Sequence, residues 1–254
     1  QLLIFGARVV AVEGSYDQAY ALCAQICAQR GWYNRNTGFN PFTREGKKTV
    51  SLEIWEQLGG APPDWVVVPV GDGNILSGVW KGFRELRTAG LTDRAPRLLA
   101  VQATGSAAIA HAFEALRAQS PPPDWSRVTI APVAASSVAD SICVDHPPDG
   151  LAALRALVES EGAAVCVSDV DILAAVAELA RQGGVFAEPA GAAAWGGLGQ
   201  AGRGGLFQPG ERVVCLLTGN GLKDVPAARR VAGEPVRVAP ELGAVQRCLD
   251  RLGL

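Results

Sequence analysis

The run Trp65-Val66-Val67-Val68-Pro69 carries no polar residue and leads straight into Val70-Gly71-Asp72-Gly73. A strand with apolar side chains on both faces must be covered on both faces, the situation of a strand inside a parallel sheet. Parallel strands are joined by crossover helices, so strand and helix patterns should alternate along such a chain. Apolar residues at helical spacing occupy 16–30, closed by Gly31, and 44–58, stopped by Gly59-Gly60. After the turn Pro62-Pro63-Asp64 and the apolar run come a helix over 74–88, a strand over 97–102 and a helix over 107–118. Pro121-Pro122-Pro123-Asp124 interrupts the pattern, which resumes as helix 150–160, strand 164–167 and helix 169–182, with Ser168 and Asp171 as its cap. Glu188-Pro189 opens a small-residue helix over 190–198, 212–217 is the last strong strand, and 242–252 is helical. Shorter β-branched or aromatic runs at 8–12 and 32–34 read as two further strands. The expected fold class is α/β, a mostly parallel twisted sheet flanked by helices.

The 254 residues are 48% hydrophobic and 19% charged, which excludes a disordered chain. A net charge of −2 excludes a strongly basic nucleic-acid binder. No run of about 18 apolar residues occurs, so no membrane partner is expected. The six cysteines form no CxxC and have only His111 and His146 as possible co-ligands, so neither a metal site nor a disulfide framework is expected. Reduced thiols in a cytoplasmic enzyme are the expectation. Residues 1–6 read like the last turn of an apolar helix closed by Gly6, and further polypeptide is expected upstream.

Two expected strands end in glycine-rich loops. Gly71-Asp72-Gly73-Asn74-Ile75 joins a buried strand to a helix. Its glycines let consecutive amides converge, and the helix adds its positive dipole end, a combination suited to a phosphate. It is neither a Walker loop nor the dinucleotide fingerprint, and a plain strand-to-helix turn fits it equally. In the second, Leu217-Thr218-Gly219-Asn220-Gly221, a hydroxyl at a strand end can hydrogen-bond a flat heteroaromatic ring. An ordinary tight turn capped by Thr218 is the competing reading.

Taken in order, these segments resemble the fold-type II pyridoxal-phosphate enzymes, the threonine synthases most closely. The likeness runs through Gly6-Ala7-Arg8-Val9-Val10, Asn40-Pro41, Glu45-Gly46-Lys47-Lys48-Thr49 and Gly71-Asp72-Gly73-Asn74-Ile75. It continues through Trp80-Lys81-Gly82-Phe83, 187–193 and 217–224. The resemblance implies pyridoxal 5′-phosphate as cofactor and a small-molecule amino-acid substrate. It implies that Gly71, Asp72, Gly73, Asn74 and Ile75 hold the cofactor phosphate and that Thr218 bonds the pyridine nitrogen. It places Glu188-Pro189-Ala190 on the cofactor side of the cleft, where an acidic helix start is the alternative. It divides the chain into residues 1–38, the remainder of a small domain, and 39–254, a large cofactor-binding domain. Family members are often dimers, so a homodimer is expected of the full-length protein.

Two features depart from the family pattern. The family's Schiff-base lysine lies in an early Ser/Phe-Lys-Asp/Arg segment, whereas Lys47, Lys48, Lys81 and Lys223 are the only lysines here and none has that setting. The lysine is therefore expected upstream of residue 1, with structural or surface roles for these four. Threonine synthases also carry Asn-Ser-x-Asn-Pro-x-Arg, which clamps the substrate phosphate. Here Thr37-Gly38-Phe39-Asn40-Pro41-Phe42-Thr43 puts Arg44 one place late. The resemblance implies a lyase forming threonine and phosphate from O-phosphohomoserine and water, present as a C-terminal portion. The alternatives are another fold-type II lyase or β-replacement enzyme, a non-catalytic phospholigand-binding remnant, and a nucleotide-binding domain with a degenerate glycine loop.

Overall fold

The computed structural model describes residues 2–118 and 124–254. Gln1 and the expected break at 121–123 lie outside the described residues. Ten α-helices and four strands are found there: α1 (Tyr16–Arg30), α2 (Pro41–Lys47), α3 (Thr49–Gln57), β1 (Trp65–Pro69), α4 (Asn74–Thr88), β2 (Arg97–Ala103), α5 (Ala108–Arg117), α6 (Gly150–Glu159), β3 (Ala163–Val167), α7 (Asp169–Gly183), α8 (Pro189–Arg203), β4 (Val213–Cys215), α9 (Val225–Ala232) and α10 (Leu242–Leu252). The strands form one sheet in the order β3-β2-β1-β4, every pairing parallel.

Period-two alternation on the central strands divides the core. Val66 and Val68 on β1, with Leu98 and Ala100 on β2, meet Leu76, Val79 and Phe83 of α4, Ile109 and Phe113 of α5, and Leu154 and Leu157 of α6. Trp65, Val67, Leu99 and Val101 point the other way, onto Ile172 of α7 and Ala190, Ala193 and Ala194 of α8. All these side chains are buried, at a gain of roughly 1.5–3 kcal/mol for each large one. The small residues of α8 let that helix lie close to the sheet; a Cβ on Gly197 would meet Val101 Cγ2 at 2.4 Å. At the amino ends of the strands, Asp64 ties β1 to β4. Its carboxylate accepts from the Arg212 amide (2.7 Å) and pairs with Arg94 (2.8 Å).

Several local expectations are corrected. Residues 8–12 and 32–34 form no strand. Residues 8–12 are exposed, and among the described residues nothing offers a ladder to either segment. Helix 44–58 is two helices. The second turn of the chain around Lys48 (φ −62°, ψ −22°) tightens to a Ser51 N to Lys48 O bond of 3.0 Å. α2 begins earlier than expected, because Asn40 caps it and Pro41 occupies its first position. Residues 2–7 do form a closing turn: Gly6 has φ +80°, with bonds Gly6 N to Leu3 O (2.9 Å) and Ala7 N to Leu2 O (3.2 Å). No helix among the described residues is long and apolar enough to cross a membrane.

Candidate active site

Strand order fixes where a ligand can sit. From β1 the chain steps to β2 and β3 on one side, then returns to β4 on the other. Connections diverge between β1 and β4, and the crevice beyond the carboxyl ends of such a pair is the usual ligand position in an open parallel sheet. Both glycine-rich loops leave from there. Pro69, Val70, Gly71, Asp72, Gly73, Ile75 and Thr218 line one cavity of about 200 Å³, together with Ser141, Ile142, Glu188, Ala190 and Lys223. That is smaller than the ~300–1,000 Å³ of a typical ligand pocket.

The wall after β1 is built for an anion. Gly73, the N-cap of α4, has φ +89°, and no side chain caps the helix from that position. The Asp72 carboxylate accepts the Asn74 amide at 2.9 Å, and Ser77 N bonds Gly73 O. Among the described residues the amides of Gly71, Asp72, Gly73, Ile75 and Leu76 find no protein acceptor. Unbonded amides at a largely buried helix start are costly unless a ligand accepts from them. A Cβ on Gly71 would meet Ile142 Cα at 2.8 Å, so the loop has no room for a side chain there.

Asn74 is the member of the loop that turns away. It does not line the cavity, and its side-chain amide donates to Thr43 Oγ1 (3.3 Å) and to Asp149. Asp149, with a side chain 3% exposed, also takes the Arg44 guanidinium, and its own amide bonds Asp72 O (3.0 Å). Arg44, Asp149 and Asn74 thus brace the loop from behind. Arg44 lines a separate groove with Gly38, Trp80, Arg84 and Arg155.

The wall after β4 is held by the segment 186–188 that leads into α8. Phe186 O accepts from Gly221 N (2.9 Å), Gly219 O from Glu188 N (3.0 Å), and Ala187 bridges Asn220. Thr218 is exposed at the cavity, and its hydroxyl has no partner among the described residues. Glu188, only 6% exposed, sits at the start of α8. Lys223 lies on a single 3-10 turn, Gly221–Asp224, and reaches back to Glu188 and Ser141.

Lys223 and Ser141 are among the site residues that reading the sequence missed, together with Leu76 and Ile142. Lys223 had a local signal, because only four residues separate it from Thr218 in the same glycine-rich loop. Ser141 had none. Elsewhere, Asp17, Asp145 and His146 come together, but both Asp17 carboxylate oxygens accept from the Asp145 and His146 amides at 3.0 Å and serve to hold α1. Burial pushes the Cys215 thiol up to about 12, which makes it a poor nucleophile.

Residues 1–219 match the family described as pyridoxal-phosphate dependent enzyme, and the chain belongs to that family. Among its relatives is the threonine synthase of Methanocaldococcus jannaschii, 36% identical over 252 residues, covering 99% of this chain and 60% of that protein. The threonine synthase of Mycobacterium tuberculosis is 34% identical over 251 residues, covering 96% of this chain and 64% of the relative. Solved structures share the fold. Threonine deaminase isoform 2 from Solanum lycopersicum superposes with TM-score 0.71 at 19% identity, over 91% of this chain and 60% of that one. Escherichia coli threonine synthase gives 0.68 at 17% identity, over 96% and 58%. The chain thus spans about three fifths of the length of the M. jannaschii relative. The fold class expected from the sequence, fold-type II with a mostly parallel sheet, is the one found, and pyridoxal phosphate is the family's cofactor.

Proposed function

We propose that this chain carries the cofactor-holding part of a threonine synthase-type lyase, acting on O-phosphohomoserine and water to give threonine and phosphate. The observation that carries this reading is the single cavity at the sheet's switch point, shared by an unsatisfied helix start and a free hydroxyl. The relatives named threonine synthase, similar over nearly the whole chain, support the choice within the family. The amides of Gly71, Asp72, Gly73, Ile75 and Leu76 bind the cofactor phosphate. Asn74 steadies that loop through Asp149. Thr218 donates to or accepts from the ring nitrogen without adding charge. When bound, the pyridine ring supplies an electron sink for carbanion character on an amino acid. Glu188 and Ala190 close the cavity floor against water.

None of the four lysines serves as the Schiff-base lysine in this reading. Lys48 and Lys81 share Glu45 and Glu85 in ion pairs away from the cavity, Lys47 does not line it, and Lys223 is engaged by Glu188. That lysine belongs to polypeptide equivalent to the part of the relatives which this chain does not span. The division at residue 38 is kept, supported by the absence of any buried side chain on α1.

The test is a titration of the chain with pyridoxal phosphate. Saturable binding, competed by inorganic phosphate and lost on Thr218→Val with Gly73→Ala, is expected, with no lasting absorbance band above about 400 nm. A band that survives dialysis and disappears on Lys223→Met would overturn the lysine assignment. Absence of binding would overturn the cofactor reading.

One observation favours a second reading. Arg44, the natural phosphate ligand by its fork geometry, is bound by Asp149 and faces the separate groove. A fold-type II lyase or β-replacement enzyme whose substrate carries no phosphate needs no such ligand. Phosphate release from phosphohomoserine by the whole protein supports the first reading; ammonia or sulfide release from other amino acids supports the second.

A further inference from the structure

Among the described residues, two carboxylates line the cofactor cavity, and they are treated differently. Asp72 is half-buried and spends one oxygen on the Asn74 amide. The Glu188 side chain is only 8% exposed, and its cation partner is Lys223, whose Nζ lies 3.0 Å from Oε2 and 3.2 Å from Oε1. A carboxylate removed from water is costly without a partner, and the cost is greatest when one member of the pair is deleted. Lys223 has no such need, because its own side chain is 60% exposed. Its ammonium group also donates to Ser141 Oγ at 2.6 Å. One cation therefore joins three chain segments at the cavity: the 3-10 turn Asp140–Ile142, the start of α8, and the turn after β4.

The consequence lies in what a bound ring would meet. Glu188 is packed against the Thr218 loop so tightly that a Cβ on Gly219 would lie 2.0 Å from Glu188 Oε1. A free carboxylate this close to the ring-nitrogen contact would raise the basicity of that nitrogen, as an opposite charge favours a protonated base. A neutral hydroxyl does not. We propose that Lys223 is a positioning residue of the cofactor cavity: by holding and neutralising Glu188 it leaves the Thr218 hydroxyl as the partner of the ring nitrogen and keeps that nitrogen uncharged near neutrality. The inference rests on the cofactor reading above. The charged groups facing the cavity are Asp72 from the loop after β1, Glu188 from α8 and Lys223 from the turn after β4. The wall at Ser141 and Ile142 adds no charge.

Pyridoxine 5′-phosphate tests this, because its alcohol in place of the aldehyde makes lysine chemistry unnecessary. Absorbance and fluorescence of the bound ring are followed against pH in the 254-residue chain. In Lys223→Met the protonation midpoint of the ring is expected to rise by about one pH unit, a tenfold change. Lys223→Arg should restore the unaltered midpoint, and Lys223→Met with Glu188→Gln should bring it back. Glu188→Gln alone, which leaves the lysine uncompensated, should lower it. A structural role for the pair predicts no opposed shifts. Binding with an unchanged midpoint in Lys223→Met, or a double variant that stays raised, overturns the inference alone. Should Lys223→Met fail to fold by circular dichroism, an unchanged or raised midpoint in Glu188→Gln overturns it. No saturable binding by the unaltered chain overturns the cofactor reading and this inference with it.

Discussion

Replacing Gly73 with alanine perturbs the cradle at the point where backbone and packing both forbid a side chain. Its φ of +89° is left-handed territory, which costs an L-residue roughly 1–2 kcal/mol. The new Cβ would also lie 2.9 Å from Asp149 O and 2.9 Å from Ala153 Cβ. Neither is the end of a flexible chain: one is backbone and the other a methyl on α6. Relieving such overpacking costs roughly 1–3 kcal/mol. Together the two effects give about 2–5 kcal/mol, or about 4–20 °C in melting temperature for a chain of this size. Gly59→Ala is the matched control, because Gly59 has φ +73° and nothing within 4 Å of its Cβ position. It should lose only the backbone part. Urea unfolding of both variants separates the contributions, and titration with pyridoxine 5′-phosphate should show weakened binding for Gly73→Ala alone. Equal destabilisation of the two variants would refute the claim that the α6 side of the loop is closed to a Cβ.

Two further outcomes follow from buried and paired charges. Arg44→Met should destabilise the chain by about 2–3 kcal/mol in urea unfolding, since Asp149 would lose its cation while remaining 3% exposed; Arg44→Lys should recover part of this. Asp64 is held below its ordinary carboxylate range, first by the Arg212 amide and then, against the opposing effect of desolvation, by Arg94. Its contribution is therefore full above the ordinary value of 3.8 and lost as pH falls through the lower folded value. Asp64→Asn should cost about 1–2 kcal/mol near pH 7, and the gap to the unaltered chain should close only in strong acid; a gap constant down to about pH 2 would refute the pairing.

The sheet was legible because its evidence is local. The unbroken apolar run of β1 has one interpretation once Gly71 and a helix follow it, and Gly31 closes α1 as its position implies. The runs at 8–12 and 32–34 had the composition of strands, but a strand requires a neighbour, and composition does not supply one. The break at Lys48 depends on α4, where a Cβ on Gly82 would approach Lys48 O to 2.6 Å, so the local period could not reveal it. α9 was readable and was overlooked: Asp224 caps it and Pro226 stands in its first turn. In the candidate site the glycines and Thr218 announced themselves through spacing. The ion pair between Glu188 and Lys223 joins positions far apart in the chain, and only the return of β4 beside β1 brings them together.

The two walls of the cavity hang from unequal supports. β1 is buried along its whole length between two neighbours, whereas β4 is a three-residue edge strand with every side chain half-exposed. Hydrogen exchange should therefore be slow at the amides of β1 and fast at those of Val214 and Cys215. A ligand gripped through its phosphate by the stiff side would find the opposite side yielding. Part of its binding energy would go into quieting that edge, so affinity here is tied to how firmly the last strand is anchored.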